Sequence, residues 1–203
     1  MIVIVITGGI GSGKTAVTDY LISKGYKVID TDLMAHEITS KNGKAISYIR
    51  DVFGEDYILE DGSMDREKIR KLVYQDESKK KLLEKATTDI IISDTKKMIE
   101  DYRKKGLEIL FVAIPLFFES GGEKEKYFDK LWLVCSDIEK RLKRIKKRDN
   151  LDEHMIKKIM DKQMSDKDKE IKSDVVIKNS GTIEELHRKV DSLLFNLKEN
   201  IRE

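Results

Sequence analysis

Apolar residues are concentrated in short runs along the chain, and the first run covers residues 2–6. This run, Ile-Val-Ile-Val-Ile, does not alternate with polar residues, which is typical of a strand buried on both faces of a parallel sheet. Four more apolar runs are predicted strands, at residues 28–29, 107–114, 131–135 and 175–177. Helical periodicity lies between most of these runs, so the pattern predicts an α/β fold with a five-stranded, mostly parallel sheet.

The segment between the second and third predicted strands has a helical pattern. Apolar residues recur there at helical spacing, as at Leu82, Leu83, Ala86 and Ile90. We therefore predict a helical insertion between two strands of the sheet. Further helices are predicted between the fourth and fifth strands, and a last helix begins at a capping-box pattern in residues 182–185.

Composition excludes several classes of protein. The chain has 203 residues, of which 39% are hydrophobic and 38% charged, enough apolar material for one large domain or a core with small insertions. Its 40 Lys and Arg against 38 Asp and Glu argue against a dedicated nucleic-acid binder. Cys135 is the single cysteine, which excludes an intramolecular disulfide and a cysteine-cluster zinc site.

The chain also lacks the patterns of a membrane or secreted protein. No apolar run reaches the roughly 18 residues of a membrane span. The first residues have no basic segment and run directly into glycines, so they predict a strand and not a signal peptide. We therefore expect a cytoplasmic protein that contacts neither membrane nor nucleic acid, as a monomer or weak homo-oligomer.

A glycine-rich segment joins the first predicted strand to the first predicted helix. Its sequence, Gly8-Gly9-Ile10-Gly11-Ser12-Gly13-Lys14-Thr15, matches the phosphate-binding pattern of glycine, four residues and Gly-Lys-Ser/Thr. Glycines let the backbone curl so that successive N–H groups face phosphate oxygens, and the start of a helix adds its positive dipole end. Lys14 would reach the β- and γ-phosphates, and the Thr15 hydroxyl would bind Mg²⁺. The expected nucleotide-binding residues of this segment are Gly9, Gly11, Ser12, Gly13, Lys14, Thr15 and Ala16, with Thr15 as the metal ligand.

Other motifs limit what the triphosphate is used for. The chain has no Asn/Thr-Lys-x-Asp motif of the kind that GTPases use for guanine. Its third predicted strand ends in Ala113-Ile114-Pro115, without the acidic residue that motor and helicase ATPases need. The remaining interpretation is a small kinase whose second substrate is held by the inserted segments.

Two acids, Asp30 and Asp32, follow the second predicted strand. The carboxyl ends of parallel strands face the ligand crevice, where a carboxylate can take a proton from an attacking hydroxyl or hold Mg²⁺ through water. The alternative is that one of the two caps the helix that begins near Leu33.

Seven cations and two acids lie between residues 139 and 149. Phosphoryl transfer needs cations that neutralise the transferring group and exclude water, and planar guanidinium groups suit this role best. Arg144 and Arg148 are therefore the candidates, in a lid formed by helices between strands four and five. The alternative is a basic helix face in contact with solvent only.

Several stretches along nearly the whole chain resemble the dephospho-coenzyme A (dephospho-CoA) kinase family. The resemblance lies in residues 6–15, 28–32, 35–37, 53–54, 61–66, 114–119, 147–149, 163–164 and 173–181. It implies transfer of the ATP γ-phosphate to the ribose 3′-hydroxyl of dephospho-CoA, with Mg²⁺, the last step of coenzyme A synthesis. The alternatives are another small-molecule kinase, such as a nucleoside monophosphate kinase, and a non-catalytic ATP-binding regulatory module.

The resemblance also implies an organisation and a set of residue roles. The fold would be a three-layer P-loop kinase core of residues 1–35, 107–136 and 173–203, with a helical acceptor domain at 36–106 and a lid at 137–172. Asp32 would be the general base and Arg148 the lid arginine, and both would be catalytic together with Lys14. Asn179 and Gly181 would lie near the adenine of ATP.

The chain departs from the family pattern at three places. Thr87-Thr88 stands where the family has a His-Pro pair, Ala113 where many members have an acid, and Lys178 where an Asp is common. Without proline, the helix from residue 77 would continue towards residue 103. The Thr87 hydroxyl would then bond either the acceptor substrate or the backbone of its own helix.

Overall fold

The computed structural model describes residues 1–149 and 151–202, and their backbone forms two compact units. The first unit comprises Met1–Ile29 and Gly106–Glu203, and the second comprises Asp30–Lys105. The described residues of the predicted lid, 137–149 and 151–172, belong to the first unit.

A parallel sheet forms the centre of the first unit. Within the described residues its five strands are β1 (Ile2–Thr7), β2 (Lys27–Asp30), β3 (Ile109–Ala113), β4 (Lys130–Cys135) and β5 (Val175–Lys178), in the order β2-β3-β1-β4-β5. The β1–β3, β1–β4 and β4–β5 pairings are parallel, with Ile2 opposite Ile109 and Ile4 opposite Lys130. The predicted α/β fold with a five-stranded parallel sheet is confirmed.

Helices cover the sheet of the first unit. Their bounds are α1 (Lys14–Ser23), α6 (Ile138–Asp149), α7 (Glu153–Asp161), α8 (Asp166–Ile171) and α9 (Ile183–Arg202). Buried side chains from β1, β3, β4 and β5 pack against one face of α1 and α9, and the largest of them are Phe111 and Trp132. The predicted capping box is present at α9, since Thr182 N–H donates to Glu185 Oε2 at 3.2 Å and Glu185 N–H donates to Thr182 Oγ1 at 3.3 Å.

The second unit is helical, as its sequence pattern predicts. It contains α2 (Thr31–Ile38), α3 (Ile46–Phe53), α4 (Arg66–Gln75) and α5 (Glu77–Lys104), with a 3₁₀ turn at Glu55–Tyr57. Its small core is formed by the buried residues Ile38, Ala45, Ile46, Ile49, Met64 and Ile69. The long helix α5 runs through Thr87-Thr88 without a break, which confirms the continuous helix expected in the absence of proline.

No helix in the described parts of the chain is both long enough and apolar enough to cross a membrane.

Candidate active site

The glycine loop between β1 and α1 exposes a set of backbone N–H groups. No hydrogen bond from the N–H groups of Gly11, Gly13, Lys14 and Thr15 is found within the described residues. Ser12 N–H donates to Gly9 C=O at 3.0 Å, and Ala16 N–H donates to Gly13 C=O at 3.1 Å. Free N–H groups at a helix N-terminus, with the positive end of its dipole, form an anion-binding site.

Gly13 is one position of the loop where the backbone requires glycine. Its φ is 94° and its ψ is 27°, in the left-handed region that L side chains rarely adopt. A Cβ on Gly13 would also lie 2.0 Å from Asn179 Nδ2. The tight approach of Asn179 therefore depends on the missing side chain.

Lys14 and Thr15 begin helix α1 directly after this turn. Lys14 is half-buried, and no ion pair or hydrogen bond of its ammonium group is found in residues 1–149 or 151–202. Thr15 is exposed. Ser12 has a buried hydroxyl for which no hydrogen-bond partner is found in the same residues.

The described residues contain no group of three or more His, Cys, Asp and Glu side chains that could hold a metal ion by themselves. Magnesium does not require such a group, because in phosphoryl-transfer sites it keeps several waters and is bound by few protein oxygens together with substrate phosphates. The exposed Thr15 hydroxyl beside the free N–H groups fits this mode of binding.

Two arginines of α6 bind carbonyl oxygens of the loop. Arg144 Nη1 lies 3.2 Å from Gly11 C=O and 3.2 Å from Ser12 C=O, and its Nη2 donates to Asn179 C=O at 3.0 Å. Arg141 Nε donates to Ile10 C=O at 2.8 Å. The guanidinium groups offset the partial negative charge of these carbonyl oxygens. The N–H groups of the loop therefore leave a net positive potential. Of the two candidate arginines, the structure brings Arg144 to the loop.

Arg148, the second candidate, lies at the C-terminal end of α6. Its side chain is 64% exposed, and its Nε and Nη2 donate to the two carboxylate oxygens of Asp149 at 2.7 and 2.8 Å. These hydrogen bonds lower the pKa of Asp149 below its ordinary value. The role of Arg148 as a phosphate ligand stays a prediction.

Asn179, predicted to lie near the adenine, reaches the loop through its side chain. Its Nδ2 donates to Ser12 C=O at 2.8 Å, and its own C=O accepts from Ser136 Oγ at 2.7 Å. Gly181 lies two residues further on, where a Cβ would collide with the Glu185 carboxylate of the capping box. The chain segment from β5 to α9 is thus attached directly to the glycine loop.

Asp30 directly precedes helix α2 of the second unit, and Asp32 lies in the first turn of this helix. Asp30 is the N-cap, and its Oδ1 accepts from the N–H groups of Asp32 at 2.9 Å and Leu33 at 3.4 Å. The capping alternative is therefore confirmed for Asp30. Asp32 is an exposed residue of the first helical turn.

Thr87, where the chain departs from the family pattern, bonds to its own helix. Its Oγ1 donates to Leu83 C=O at 2.8 Å and lies 3.3 Å from Glu84 C=O. Of the two alternatives for this hydroxyl, the structure has the bond back to α5.

The polar contacts of three side chains in the site region were not predicted from the sequence. Gln163 Oε1 accepts from Ile10 N–H at 3.0 Å, and the buried Arg141 binds Asp166 as well as the loop. The buried Lys169 binds Glu119 at 2.7 Å. Gln163 and Glu119 do lie in stretches that carry the family resemblance, and that was the only sequence signal for them.

Comparisons with known proteins agree with this geometry. The dephospho-CoA kinase family model matches residues 2–185. A dephospho-CoA kinase of Fusobacterium nucleatum is 35% identical over 191 residues, which are 94% of this chain and 96% of that protein. A solved dephospho-CoA kinase from Campylobacter jejuni has a TM-score of 0.73 and 26% identity over 98% of each chain. A Thermus thermophilus protein has a TM-score of 0.79 and 28% identity over 97% of each chain. The chain therefore belongs to the dephospho-CoA kinase family.

Proposed function

We propose that this chain transfers the γ-phosphate of ATP to the ribose 3′-hydroxyl of dephospho-CoA and releases coenzyme A and ADP. The observation that carries the proposal is the glycine loop, whose free N–H groups form an anion site in a chain that matches the family over residues 2–185. The relatives are dephospho-CoA kinases, and the chemistry of the loop suits a kinase that uses ATP.

In the proposed reaction the loop holds the donor nucleotide. The N–H groups of Gly11, Gly13, Lys14 and Thr15 bind phosphate oxygens, because they lie at the positive end of α1 and have no partner within the described residues. The Lys14 ammonium neutralises the charge that develops on the transferring group. The same segment would hold Mg²⁺ through the Thr15 hydroxyl, and the metal would neutralise the β- and γ-phosphate oxygens.

Asp32 is the proposed general base. Asp32 is an exposed residue in the first turn of α2, directly after the strand β2. A carboxylate that accepts the proton of the attacking hydroxyl makes this oxygen a better nucleophile as the phosphoryl group arrives.

The other parts of the proposal concern roles outside the loop. Arg148 is proposed as the lid arginine, with residues 137–172 as the lid and residues 36–106 as the acceptor domain. Asn179 and Gly181 are proposed to border the adenine, which is supported by the direct bond from Asn179 to Ser12. A cytoplasmic location and a monomer or weak homo-oligomer stay predictions.

The experiment that tests the function offers ATP and Mg²⁺ with a panel of acceptors and identifies the phosphorylated product by mass. We expect dephospho-CoA to be converted to coenzyme A, and nucleoside monophosphates to remain unchanged. ADP release without any phosphorylated acceptor, or phosphorylation of a nucleoside monophosphate instead, would contradict the proposal.

Lys14→Ala connects this activity to the loop. We expect turnover to fall on the order of 100- to 1,000-fold, the usual cost of removing one preorganised charge donor from a transition state. Lys140→Ala, which removes an exposed lysine from α6, is the control and should change turnover by less than about twofold. Normal turnover in Lys14→Ala would exclude the loop as the site of transfer.

Asp32→Asn tests the proposed base separately from nucleotide binding. The amide keeps the shape of the side chain but cannot take the proton, so turnover should fall roughly 100-fold or more while the Kd for ATP changes little. Glu37→Gln, an exposed substitution in the same helix, serves as the control. A large loss of ATP affinity with turnover preserved at saturation would instead make Asp32 a ligand of the nucleotide–metal complex.

A further inference from the structure

The backbone of Ile10 is bonded by side chains at both its N–H and its C=O. Ile10 N–H donates to Gln163 Oε1 at 3.0 Å, and Ile10 C=O accepts from Arg141 Nε at 2.8 Å. Ile10 directly precedes Gly11, whose N–H group has no hydrogen bond within the described residues. A carbonyl turned towards a phosphate would repel it, and here the carbonyl is turned towards a guanidinium instead.

The same two side chains leave no room for a side chain at Gly9. A Cβ on Gly9 would lie 2.5 Å from Arg141 Nη2 and 3.1 Å from Gln163 Oε1. The polar ends of both side chains therefore lie directly against the loop backbone. We call Arg141 and Gln163 together the Ile10 clamp.

The two members of the Ile10 clamp are themselves held in place. Arg141 is buried, and its Nη1 binds Asp166 Oδ2 at 2.7 Å. Next to Gln163 in the chain, Met164 N–H donates to Glu119 Oε1 at 2.9 Å. A buried guanidinium fixed by a carboxylate cannot turn away without leaving a charge unpaired. Contacts with residues outside the loop therefore hold the Ile10 clamp in place.

We propose that Gln163 and Arg141 are positioning residues that hold the loop, through Ile10, in the conformation whose N–H groups bind ATP phosphates. The inference rests on the proposed binding of ATP at this loop. Both residues lie in the segment 137–172, so the clamp makes that segment part of the nucleotide site. The Ile10 clamp affects phosphoryl transfer through the conformation of the loop backbone.

The test compares two substitutions of Gln163 of similar length. Gln163→Met removes the acceptor, whereas Gln163→Glu keeps an oxygen for Ile10 N–H. By titration calorimetry we expect the Kd for ATP to rise about 3- to 10-fold in Gln163→Met, the size of one net hydrogen bond. It should stay within about twofold in Gln163→Glu and in Lys162→Met, which places the same new side chain at the exposed neighbour. The KM for dephospho-CoA should be unchanged in all three variants.

The Ile10 amide gives a readout that a general loss of stability would not move. In ¹⁵N-labelled protein, its proton resonance should lose the downfield shift of a hydrogen-bonded amide in Gln163→Met and keep it in Gln163→Glu. If Gln163→Met does not fold, Arg141→Lys replaces it, because lysine keeps the charge beside Asp166 but lacks the planar fork whose Nε donates to Ile10 and whose Nη1 donates to Asp166. The same rise in the Kd for ATP is then expected.

A Kd for ATP in Gln163→Met within twofold of the wild-type value would overturn the clamp. A Kd for ATP in Gln163→Glu as high as that in Gln163→Met would also overturn the clamp. Wild-type protein that binds no ATP contradicts the proposed function itself, so the two failures are distinguishable.

Discussion

The two units of the chain place their charged side chains differently. In the first unit two cations are buried in ion pairs: the side chain of Lys169 is 1% exposed beside Glu119, and that of Arg141 is 8% exposed beside Asp166. In the described residues of the second unit the cations of the ion pairs are at least 44% exposed, and Lys71 with Glu67 is the most exposed pair, at 72% and 79%.

This difference separates contacts that determine geometry from contacts that add little. Removing an ion from water costs several kcal/mol, which only a well-placed partner offsets, so a buried pair fixes the elements that carry it. An exposed pair is screened by solvent and contributes roughly 0–1 kcal/mol. For glycines and ion pairs, we therefore expect substitutions near the loop to affect function or stability strongly, and the matched substitutions in the helical unit to have small or purely structural effects.

The largest contrast is expected between two glycines of positive φ, one in each unit. Gly13 has φ 94° and a Cβ there would lie 2.0 Å from Asn179 Nδ2, whereas Gly54 has φ 100° and nothing within 4 Å. Gly13→Ala must displace the loop, and a displacement of about 1 Å at a phosphoryl-transfer site costs on the order of 100-fold in kcat/KM. Initial-rate kinetics with ATP as the varied substrate measure this loss.

Gly54→Ala is the matched substitution in the helical unit. Its backbone strain should lower the free energy of unfolding by about 1–3 kcal/mol in urea titrations, with kinetics for ATP unchanged. Equal effects of the two alanines on kcat/KM would remove the distinction between the units.

An intermediate effect is expected when a cation is removed from each kind of ion pair. Lys169→Met leaves the Glu119 carboxylate without its buried partner and should lower the free energy of unfolding by about 3–5 kcal/mol. Lys71→Met, at the exposed pair with Glu67, should lower it by less than about 1 kcal/mol. Urea denaturation followed by circular dichroism measures both values.

The double variant Lys169→Met with Glu119→Gln sharpens this comparison. Because it removes both charges, it should be more stable than Lys169→Met alone. A double variant that is less stable than Lys169→Met would show that the pair is not the source of the loss.

The smallest effect is expected at Thr87 in the helical unit. Because its hydroxyl bonds back to Leu83, Thr87→Ala removes no bond to a substrate, and the KM for dephospho-CoA should stay within about twofold. Steady-state kinetics with dephospho-CoA as the varied substrate test this expectation. A rise of tenfold or more, with the KM for ATP unchanged, would give Thr87 an acceptor contact that its position in α5 does not suggest.

Local sequence patterns were sufficient to predict most of the fold. The run at residues 2–6 forms β1, the reciprocal capping box begins α9, and the lack of proline at residue 88 leaves α5 unbroken. Each of these depends on residues that are close in the chain, so the pattern contains the cause. The glycine loop is predictable for the same reason.

The partners of charged side chains could not be predicted in this way. Arg144 and Arg148 are four residues apart, about 6 Å along nearly one face of α6. Arg144 nevertheless binds the loop and Arg148 binds Asp149. Arg141 lies in a charge-rich stretch that favours an exposed position, but Asp166 and Ile10, distant in sequence, bury it. Asp30 and Asp32 have the same chemistry, and only backbone geometry makes Asp30 the cap.

The position of β1 has a consequence for biosynthesis. This strand lies at the centre of the sheet, and its neighbours β3 and β4 begin only at Ile109 and Lys130. While the ribosome extends the chain, the apolar strand β1 has no pairing edge until β3, which begins at Ile109, has been made. An unpaired, β-branched strand is a site for aggregation. The nascent chain is therefore most dependent on chaperones before β3 emerges, during translation of the helical segment in between.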